Sequence, residues 1–253
     1  MLTPMRRGKL GWLRPYVPIP YRVNRYLNTP VERLPRMGDD TVVIYPEIVP
    51  GNPLNARHVV RWLLYNEPGY SYDFGADDMF FTVDRNFDHP VVSGGAPSLF
   101  LYKINPVYQN LGRTDRKGAC YMVRKGAHKM RIPETEGAEC LDGKSHEEIA
   151  EAFNRCEVFY SYDEATMYSQ YAALCGCLSI VIPGNYSSRT AWVEGYSIAK
   201  YGIAYGLNDV EHARATMHLV RPLLEHREQE GVESVRAFVA LTRARFGTSR
   251  PGV

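Results

Sequence analysis

Two cations follow directly after an apolar run that predicts a buried strand. Arg124 and Lys125 come after this run, residues 118–123, and Gly126 follows them. Side-chain cations suit the oxygens of a diphosphate, and a glycine lets a bound group approach the backbone closely. A solvated turn is the alternative, because Lys and Arg are common in turns. The Arg-Lys-Gly sequence therefore predicts either a diphosphate-binding loop or an exposed turn.

A second polar segment, residues 161–169, lies between a predicted strand and a predicted helix. Backbone amides at a helix N-terminus carry partial positive charge and unsatisfied donors, which suit an anionic phosphate. Tyr162 can stack on a base, and Asp163 or Glu164 can accept hydrogen bonds from sugar hydroxyls. Thr166 can add a hydroxyl donor. The alternative is simple N-capping, because acids and threonine favour the first turn of any helix.

A third polar segment follows a β-branched run, residues 41–45, which predicts a strand buried on both faces. In this loop Glu47 can act as a general base toward an acceptor hydroxyl, or can hydrogen-bond an acceptor sugar. Asn52 adds an amide to the same loop. A turn-forming acid tied to backbone donors is the alternative for Glu47.

The residues after this loop predict a helix from Asn55 through Leu64. Arg57 and Arg61 would then stand one turn apart, near Glu47 or near a phosphate. A solvated helix face is the more frequent explanation for such a pair.

The rest of the chain predicts strands that alternate with helices. Further strands are predicted at residues 80–83, 98–102, 118–123, 158–161, 178–182 and 203–205. Helices are predicted at residues 145–155, opened by a capping box of Ser145 and Glu148, and at 163–175, 210–225 and 232–246, with a break at Gly231. This alternation predicts an α/β fold with a parallel sheet. A boundary near residue 105 would separate a smaller N-terminal part, residues 1–105, from a fuller C-terminal part, residues 106–253.

The amino-acid composition argues against two kinds of function, nucleic-acid binding and structural zinc binding. The chain has 30 Lys and Arg against 28 Asp and Glu, so a dedicated nucleic-acid-binding protein is not expected. Its five cysteines lack paired Cys-x2-Cys spacing, which predicts reduced core residues rather than a structural zinc site.

The N-terminal residues show no apolar run of the length that a signal peptide needs, and no stretch is long enough for a membrane span. We therefore expect a cytoplasmic protein. Arg6, Arg7, Lys9 and Trp12 allow a peripheral contact with a membrane surface, and an arm packed on the body of the protein is the alternative.

Taken together, residues 118–184 resemble the nucleotide-sugar-binding half of GT-B-type glycosyltransferases, in particular the large group-1-like assembly. The resemblance lies in a strand that ends in Arg-Lys-Gly, followed by GKSHEEIAEAFNRCEVFYSYDEATMYSQYAALCGCLSIVIPG. The stretch YPEIVPGNPLNARHVVRWLLYNEPG is similar to a segment of bacterial and viral polysaccharide glycosyltransferases, including rhamnosyltransferase-like proteins. The resemblance implies two Rossmann-like lobes with the donor between them and a reduced N-terminal acceptor lobe.

The resemblance also implies roles for individual residues. Arg124 and Lys125 would be the donor-diphosphate cations, and Asp163 would be the first acid of the family's Glu-x7-Glu pattern. The residues that would meet diphosphate and sugar are Thr166, Met167 and Tyr168. Tyr171 departs from the pattern, because it stands where the second Glu, usually a ribose ligand, is expected.

These expectations describe a glycosyltransferase that moves a sugar from a nucleotide-sugar donor to a glycan acceptor in polysaccharide or glycoconjugate biosynthesis. Glu47 would be the catalytic residue, and Asn52, Arg57 and Arg61 would lie on the acceptor side. No metal and no cofactor are expected, because the Asp-x-Asp motif is absent and the family normally stabilises its leaving diphosphate with cations and helix amides. A non-catalytic nucleotide-sugar-binding subunit is the alternative. An epimerase or dehydrogenase is disfavoured, since no Gly-x-Gly-x-x-Gly follows an early strand.

Overall fold

A computed structural model of the 253-residue chain describes residues 37–65, 72–84, 87–88 and 93–247, together with two short strands near the N-terminus. The chain forms two compact units. The first comprises Met1–Trp62, Glu67–Phe80 and Thr242–Val253, and the second comprises Leu63–Asn66 and Phe81–Leu241. The expected division into an acceptor-side part and a donor-side part near residue 105 stays a prediction about function.

The N-terminal strands are β1 (Met5–Arg6) and β2 (Val17–Pro18), which pair antiparallel. A three-stranded sheet follows, in the order β3 (Val42–Pro46), β4 (His58–Leu63) and β5 (Met79–Thr82). The strands β3 and β4 are parallel, with Val42 opposite His58. Of the residues expected to meet a membrane, Arg6 lies in β1, and Arg7, Lys9 and Trp12 lie outside the described residues.

The predicted helix from Asn55 through Leu64 is wrong, because this segment contains strand β4. Asn55 has a backbone φ of +48°, which turns the chain instead of capping a helix. The β-branched pair Val59 and Val60 then lies buried beside β3. The strand expected at residues 41–45 is present as β3, but it is not buried on both faces, since Ile44 is 43% exposed.

A second sheet lies in the second unit and has five parallel strands. Their order is β10-β9-β8-β6-β7. The strands are β6 (Ala119–Met122), β7 (Glu139–Cys140), β8 (Val158–Ser161), β9 (Leu178–Val181) and β10 (Ile203–Tyr205). The prediction of an α/β fold with parallel sheets is confirmed.

Five α-helices accompany these strands in the described part of the chain. They are α1 (His146–Arg155), α2 (Met167–Leu174), α3 (Arg189–Gly195), α4 (Val210–Thr216) and α5 (Val220–Phe246). Single-turn 3-10 helices occur at Arg124–Gly126, Pro133–Thr135, Ser197–Ala199, Leu207–Asp209 and Met217–Leu219.

The five-stranded sheet is covered on both faces. On one face, buried side chains such as Met122 and Phe159 pack with Phe153 of α1 and with Ala172 of α2. The core of the other face joins Tyr160, Ile180 and other strand residues to Ala213 of α4. Burial on both faces accounts for the nearly continuous apolar runs of these strands. Four of the five cysteines are buried free thiols, as expected, but Cys140 is exposed.

The predicted break at Gly231 is wrong, because α5 runs through this residue. A Cβ atom at Gly231 would lie 3.2 Å from the carbonyl oxygen of Phe100 and 3.3 Å from the amide nitrogen of Tyr102. The glycine therefore allows a neighbouring chain segment to approach the helix closely. The actual interruption lies between α4 and α5, at Met217–Leu219.

Two further expectations concern residues 98–102 and the membrane. In place of a strand at residues 98–102, the structure has an isolated bridge between Thr82 and Ser98. Among the helices described, none is both long enough and apolar enough to cross a bilayer.

The capping box at the start of α1 gives a stability test. The Ser145 side chain accepts a hydrogen bond from the Glu148 amide, and the Glu148 side chain accepts one from the Ser145 amide. We expect Ser145→Ala to lower the free energy of unfolding by about 1 kcal/mol in urea titrations, because an amide at the helix start loses its acceptor. Glu148→Gln keeps an acceptor for the Ser145 amide and is the matched control. Equal stability of wild type and Ser145→Ala would show that the cap contributes nothing.

Candidate functional site

The second sheet has a topological switch point between β6 and β8. The chain leaves β6 toward β7 on one side, whereas it leaves β8 toward β9 on the other side. The loops that follow these two strands touch at Gly126 and Tyr162, and the chain then continues toward opposite sides of the switch point. The carboxyl edge at such a point is where an open α/β sheet forms a crevice. Such crevices are the usual ligand-binding places in open α/β sheets.

The loop after β6 carries Arg124 and Lys125 in a 3-10 turn. The backbone φ of Arg124 is +44°, a left-handed conformation that is uncommon for a residue with a side chain. Its guanidinium Nε lies 3.7 Å from Oδ2 of Asp163, and its Cζ lies 5.1 Å from the centre of the Tyr168 ring. The Arg124 side chain is 44% exposed, so a cation remains accessible in the crevice. Lys125 is exposed in the same turn.

Gly126 allows close approach of another part of the protein, the backbone of Tyr162, where the sequence predicted close approach of a bound group. A Cβ atom at this position would lie 2.2 Å from the carbonyl oxygen of Tyr162, so any side chain would separate the two loops. This contact holds the loop after β6 directly against the loop after β8.

The expectation that Tyr162 stacks on a base is wrong. Its side chain is fully buried, and its hydroxyl accepts a hydrogen bond from the Ile132 amide and lies 2.8 Å from Oγ1 of Thr135. The guanidinium of Arg131 lies over the ring, 4.4 Å from its centre. Residues after a strand keep the strand's alternation, and this alternation directs Tyr162 into the core.

Helix α2 begins later than predicted, at Met167. Thr166 is its N-cap and accepts a hydrogen bond from the Tyr168 amide at 3.4 Å. Asp163 is buried, and its Oδ1 accepts a hydrogen bond from the Ala165 amide. Asp163 thus shapes the turn that leads into α2 and places a carboxylate beside Arg124.

Glu164, the other acid of this turn, is saturated by protein donors. Its carboxylate accepts hydrogen bonds from the amides of Gly184 and Asn185 and lies 2.8 Å from the Tyr205 hydroxyl. It also lies 3.0 Å from Nζ of Lys129, and both side chains of this ion pair are less than 10% exposed. The interpretation of Glu164 as a ligand of sugar hydroxyls is therefore wrong.

The Glu164 network joins the ends of four strands. Lys129 follows β6, Glu164 follows β8, and Gly184 and Asn185 follow β9. Tyr205 is the last residue of β10. Lys129 also donates a hydrogen bond to the carbonyl oxygen of Ile182 at 2.6 Å. The network therefore fixes the loops that border the crevice.

Hydrogen bonding sets the protonation of this network. Burial raises the pKa of Glu164, but hydrogen bonds from Tyr205, Lys129 and Asn185 outweigh it and leave the pKa below its ordinary value. Burial and the hydrogen bond to Glu164 raise the pKa of Tyr205 to about 12. Glu164 is thus a carboxylate at neutral pH, and Tyr205 keeps the proton that it donates.

His146, which the sequence patterns do not single out, also lies at this edge. It is the exposed first residue of α1, and its ring lies 6.0 Å from that of Tyr168 at an angle of 27°. The sequence signal that could have found it is its place directly after the capping residue Ser145, since helix starts follow strand ends in an α/β fold.

A cavity of about 820 Å³ adjoins the start of α2 within the same unit. Ala165 and Met167, the two neighbours of Thr166, line it. Its other walls include aromatic residues, among them Phe100, Tyr102 and Tyr196, and three charged residues, Asp84, Glu194 and Arg227. A volume of this size and an apolar lining with few polar groups are typical of small-molecule sites.

The expected acceptor-side residues belong to the first unit. Arg61 is fully buried, and it donates hydrogen bonds to the carbonyl oxygens of Val49 and Gly51 and pairs with Asp78 at 2.5 Å. It therefore holds the loop after β3 and cannot bind a ligand. The prediction was wrong because it placed Arg61 on the exposed face of a helix. Arg61 instead lies in strand β4, which directs its side chain beneath the loop.

The expected catalytic residue Glu47 and the other two acceptor-side residues, Asn52 and Arg57, lie in the loop between β3 and β4. The Asn52 side chain accepts a hydrogen bond from the Ala56 amide and donates one to the Ala56 carbonyl, so it shapes the turn. Arg57 is exposed and lies 3.4 Å from Asp39, and it does not stand on a helix with Arg61. Glu47 is 6% exposed. Its catalytic role stays a prediction.

Within the described residues, no three His, Cys, Asp or Glu side chains group as metal ligands. The expectation of a reaction without a bound metal stays a prediction.

No protein-family model matches this sequence. No curated protein matches it either. The resemblance to GT-B-type glycosyltransferases therefore stays a prediction, and function is inferred from the site itself.

The Lys129–Glu164 pair gives a test of what holds the crevice together. Glu164→Gln leaves Lys129 buried without a counter-charge and turns an amide donor toward the Gly184 or Asn185 amide. We expect a loss of about 3–5 kcal/mol in unfolding free energy, measured by urea titration. Exposed Glu157→Ala is the control and should stay within about 0.5 kcal/mol of wild type. In a double-mutant cycle with Lys129→Met, additive losses would show that the two residues do not interact.

The same pair predicts a pH dependence. Since folding lowers the pKa of Glu164, its contribution to stability is complete above the ordinary carboxyl pKa and is lost as the pH falls through the lower, folded-state value. We expect the stability difference between wild type and Glu164→Gln to be largest near neutral pH and to shrink below about pH 4. Urea titrations across this range measure it, and a difference that grows with acidity would contradict the assignment.

Proposed function

We propose that the crevice between β6 and β8 binds the diphosphate of a nucleotide sugar and that the protein is a metal-independent glycosyltransferase with a GT-B-like arrangement of two Rossmann-like lobes. One observation carries the proposal. An accessible cation, Arg124, and the capped start of α2 stand together at the topological switch point of a parallel sheet. The pairing of a cation with helix amides is suited to an anionic phosphate.

The environment of Arg124 supports this proposal. A left-handed φ at a residue with a side chain costs about 1–2 kcal/mol, and such strain concentrates at functional sites. Asp163 and Tyr168 hold the guanidinium in place. A positioned cation loses little side-chain freedom when it binds phosphate.

The cavity beside Met167 is the proposed place for the non-phosphate part of the donor. It lies next to Thr166 and has the aromatic lining that stacks on planar or sugar rings. Met167 would then contact the donor on the cavity side of α2, and Tyr168 would contact it on the Arg124 side. Lys125 would add a second cation to the diphosphate.

A binding screen tests the proposal. Thermal-shift and calorimetric titrations with UDP-, GDP-, dTDP- and CMP-sugars, and with the free nucleotides, should identify one nucleotide that stabilises the wild type. We expect Arg124→Gly to weaken its binding by roughly tenfold to a hundredfold, because a charge-assisted hydrogen bond is lost. Glycine suits the positive φ, so a loss of fold does not account for this result.

Two controls complete this experiment. Arg124→Lys keeps a cation and should retain part of the affinity. Arg221→Ala removes an exposed arginine that forms a surface pair with Glu225 and should leave binding unchanged. If no nucleotide stabilised the wild type, the proposal would fail. Binding without sugar transfer to any glycan acceptor would instead favour a nucleotide-sugar-binding subunit.

A further inference from the structure

The imidazole of His146 belongs to a stack of side chains at the proposed diphosphate site. Its ring lies beside the ring of Tyr168, at 6.0 Å, and the guanidinium of Arg124 lies 5.1 Å from the centre of the same Tyr168 ring. His146 begins α1, and Tyr168 lies in the first turn of α2. The exposed imidazole therefore lies on the α1 side of the Tyr168 ring, which Arg124 also contacts.

The buried hydroxyl of Tyr108 contacts one imidazole nitrogen of His146. Its hydroxyl oxygen lies 2.6 Å from Nδ1 of His146. The Tyr108 side chain is 1% exposed, and burial, followed by the nearby hydroxyls of Tyr168 and Tyr171, raises its pKa. The phenol therefore keeps its proton, and in the arrangement that we propose it donates this proton to Nδ1. A neutral imidazole that accepts at Nδ1 carries its own hydrogen on Nε2.

Tyr171 packs against Tyr108, the residue that contacts His146. Its ring stacks on that of Tyr108, with the centroids 4.1 Å apart and the planes 8° apart. Tyr171 is the residue that departs from the acid expected by family resemblance. In this chain the position supplies a stacking surface for the tyrosine that orients His146.

We propose that His146, oriented by Tyr108, is a donor-binding residue that presents its Nε2–H group to the diphosphate of the nucleotide sugar beside Arg124. This inference rests on the proposed function. Tyr108 acts through His146 and is a positioning residue. The role is binding and orientation of the diphosphate, with no proton transfer.

Calorimetric titration at about pH 8, with inorganic pyrophosphate and with the nucleoside diphosphates of the screen, tests the inference. We expect His146→Ala to raise the Kd by roughly tenfold, because one hydrogen bond to a charged group is lost. His146→Gln keeps an N–H donor at similar reach and should bind within about threefold of wild type. His226→Ala, which removes an exposed histidine of α5, should bind as wild type does.

The positioning role of Tyr108 has its own readout. Tyr108→Phe keeps the stack on Tyr171 and removes the hydroxyl, so nitrogen-15 NMR should show His146 changing from the Nε2–H tautomer to a mixture. The Kd of Tyr108→Phe for pyrophosphate should lie between those of wild type and His146→Ala.

The outcomes separate this inference from the proposed function. Pyrophosphate or nucleotide binding that is equal in wild type and His146→Ala would overturn the role of His146 and leave the proposed function intact. An Nδ1–H tautomer in wild type would also overturn it. A wild type that binds neither pyrophosphate nor any nucleotide would overturn both.

Discussion

The carboxyl edge of the second sheet depends on the buried ion pair between Lys129 and Glu164. Burying two charges is costly, and the cost is offset because the carboxylate also accepts hydrogen bonds from the loop after β9 and from Tyr205. These bonds connect segments that follow β6, β8 and β9 to the end of β10. The loops that carry the proposed donor site are thereby fixed by the protein itself, which would lower the entropic cost of binding a donor.

The adjacent acids Asp163 and Glu164 make different interactions at the carboxyl edge of the second sheet. Glu164 is saturated by protein donors and holds the loops together, whereas Asp163 lies beside the accessible cation Arg124. Gly126 lets the loop with Arg124 approach Tyr162 closely. The electrostatics that we propose for donor binding therefore rest on a framework made of different side chains.

Local signals predicted most strands of both sheets, except β4 in the first sheet and the two-residue strand β7 in the second. The strands β8 and β10 and the helix α1 were predicted within a residue or two, because their apolar runs and the capping box are encoded in consecutive residues. The prediction for the segment of β4 was wrong, because pairing with β3 overrides the helix-like spacing of its apolar residues. At the site, Arg124 and Asp163 were recognised as residues that follow strands. His146 was missed, and Tyr162 and Arg61 were assigned to ligands although both side chains are fully buried.

The sequence by itself determined the alternation of strands and helices and placed cationic and acidic residues directly after strands. These features depend on neighbours in the chain, so residue order is sufficient to predict them. Only the tertiary structure decided the strand order, and with it the switch point at which the loops after β6 and β8 meet. It also decided which polar side chains are used in hydrogen bonds within the protein. Glu164 and Arg61 both bond to residues that are more than ten positions away in the sequence. Hydrogen bonds between such distant residues leave no pattern in the local sequence.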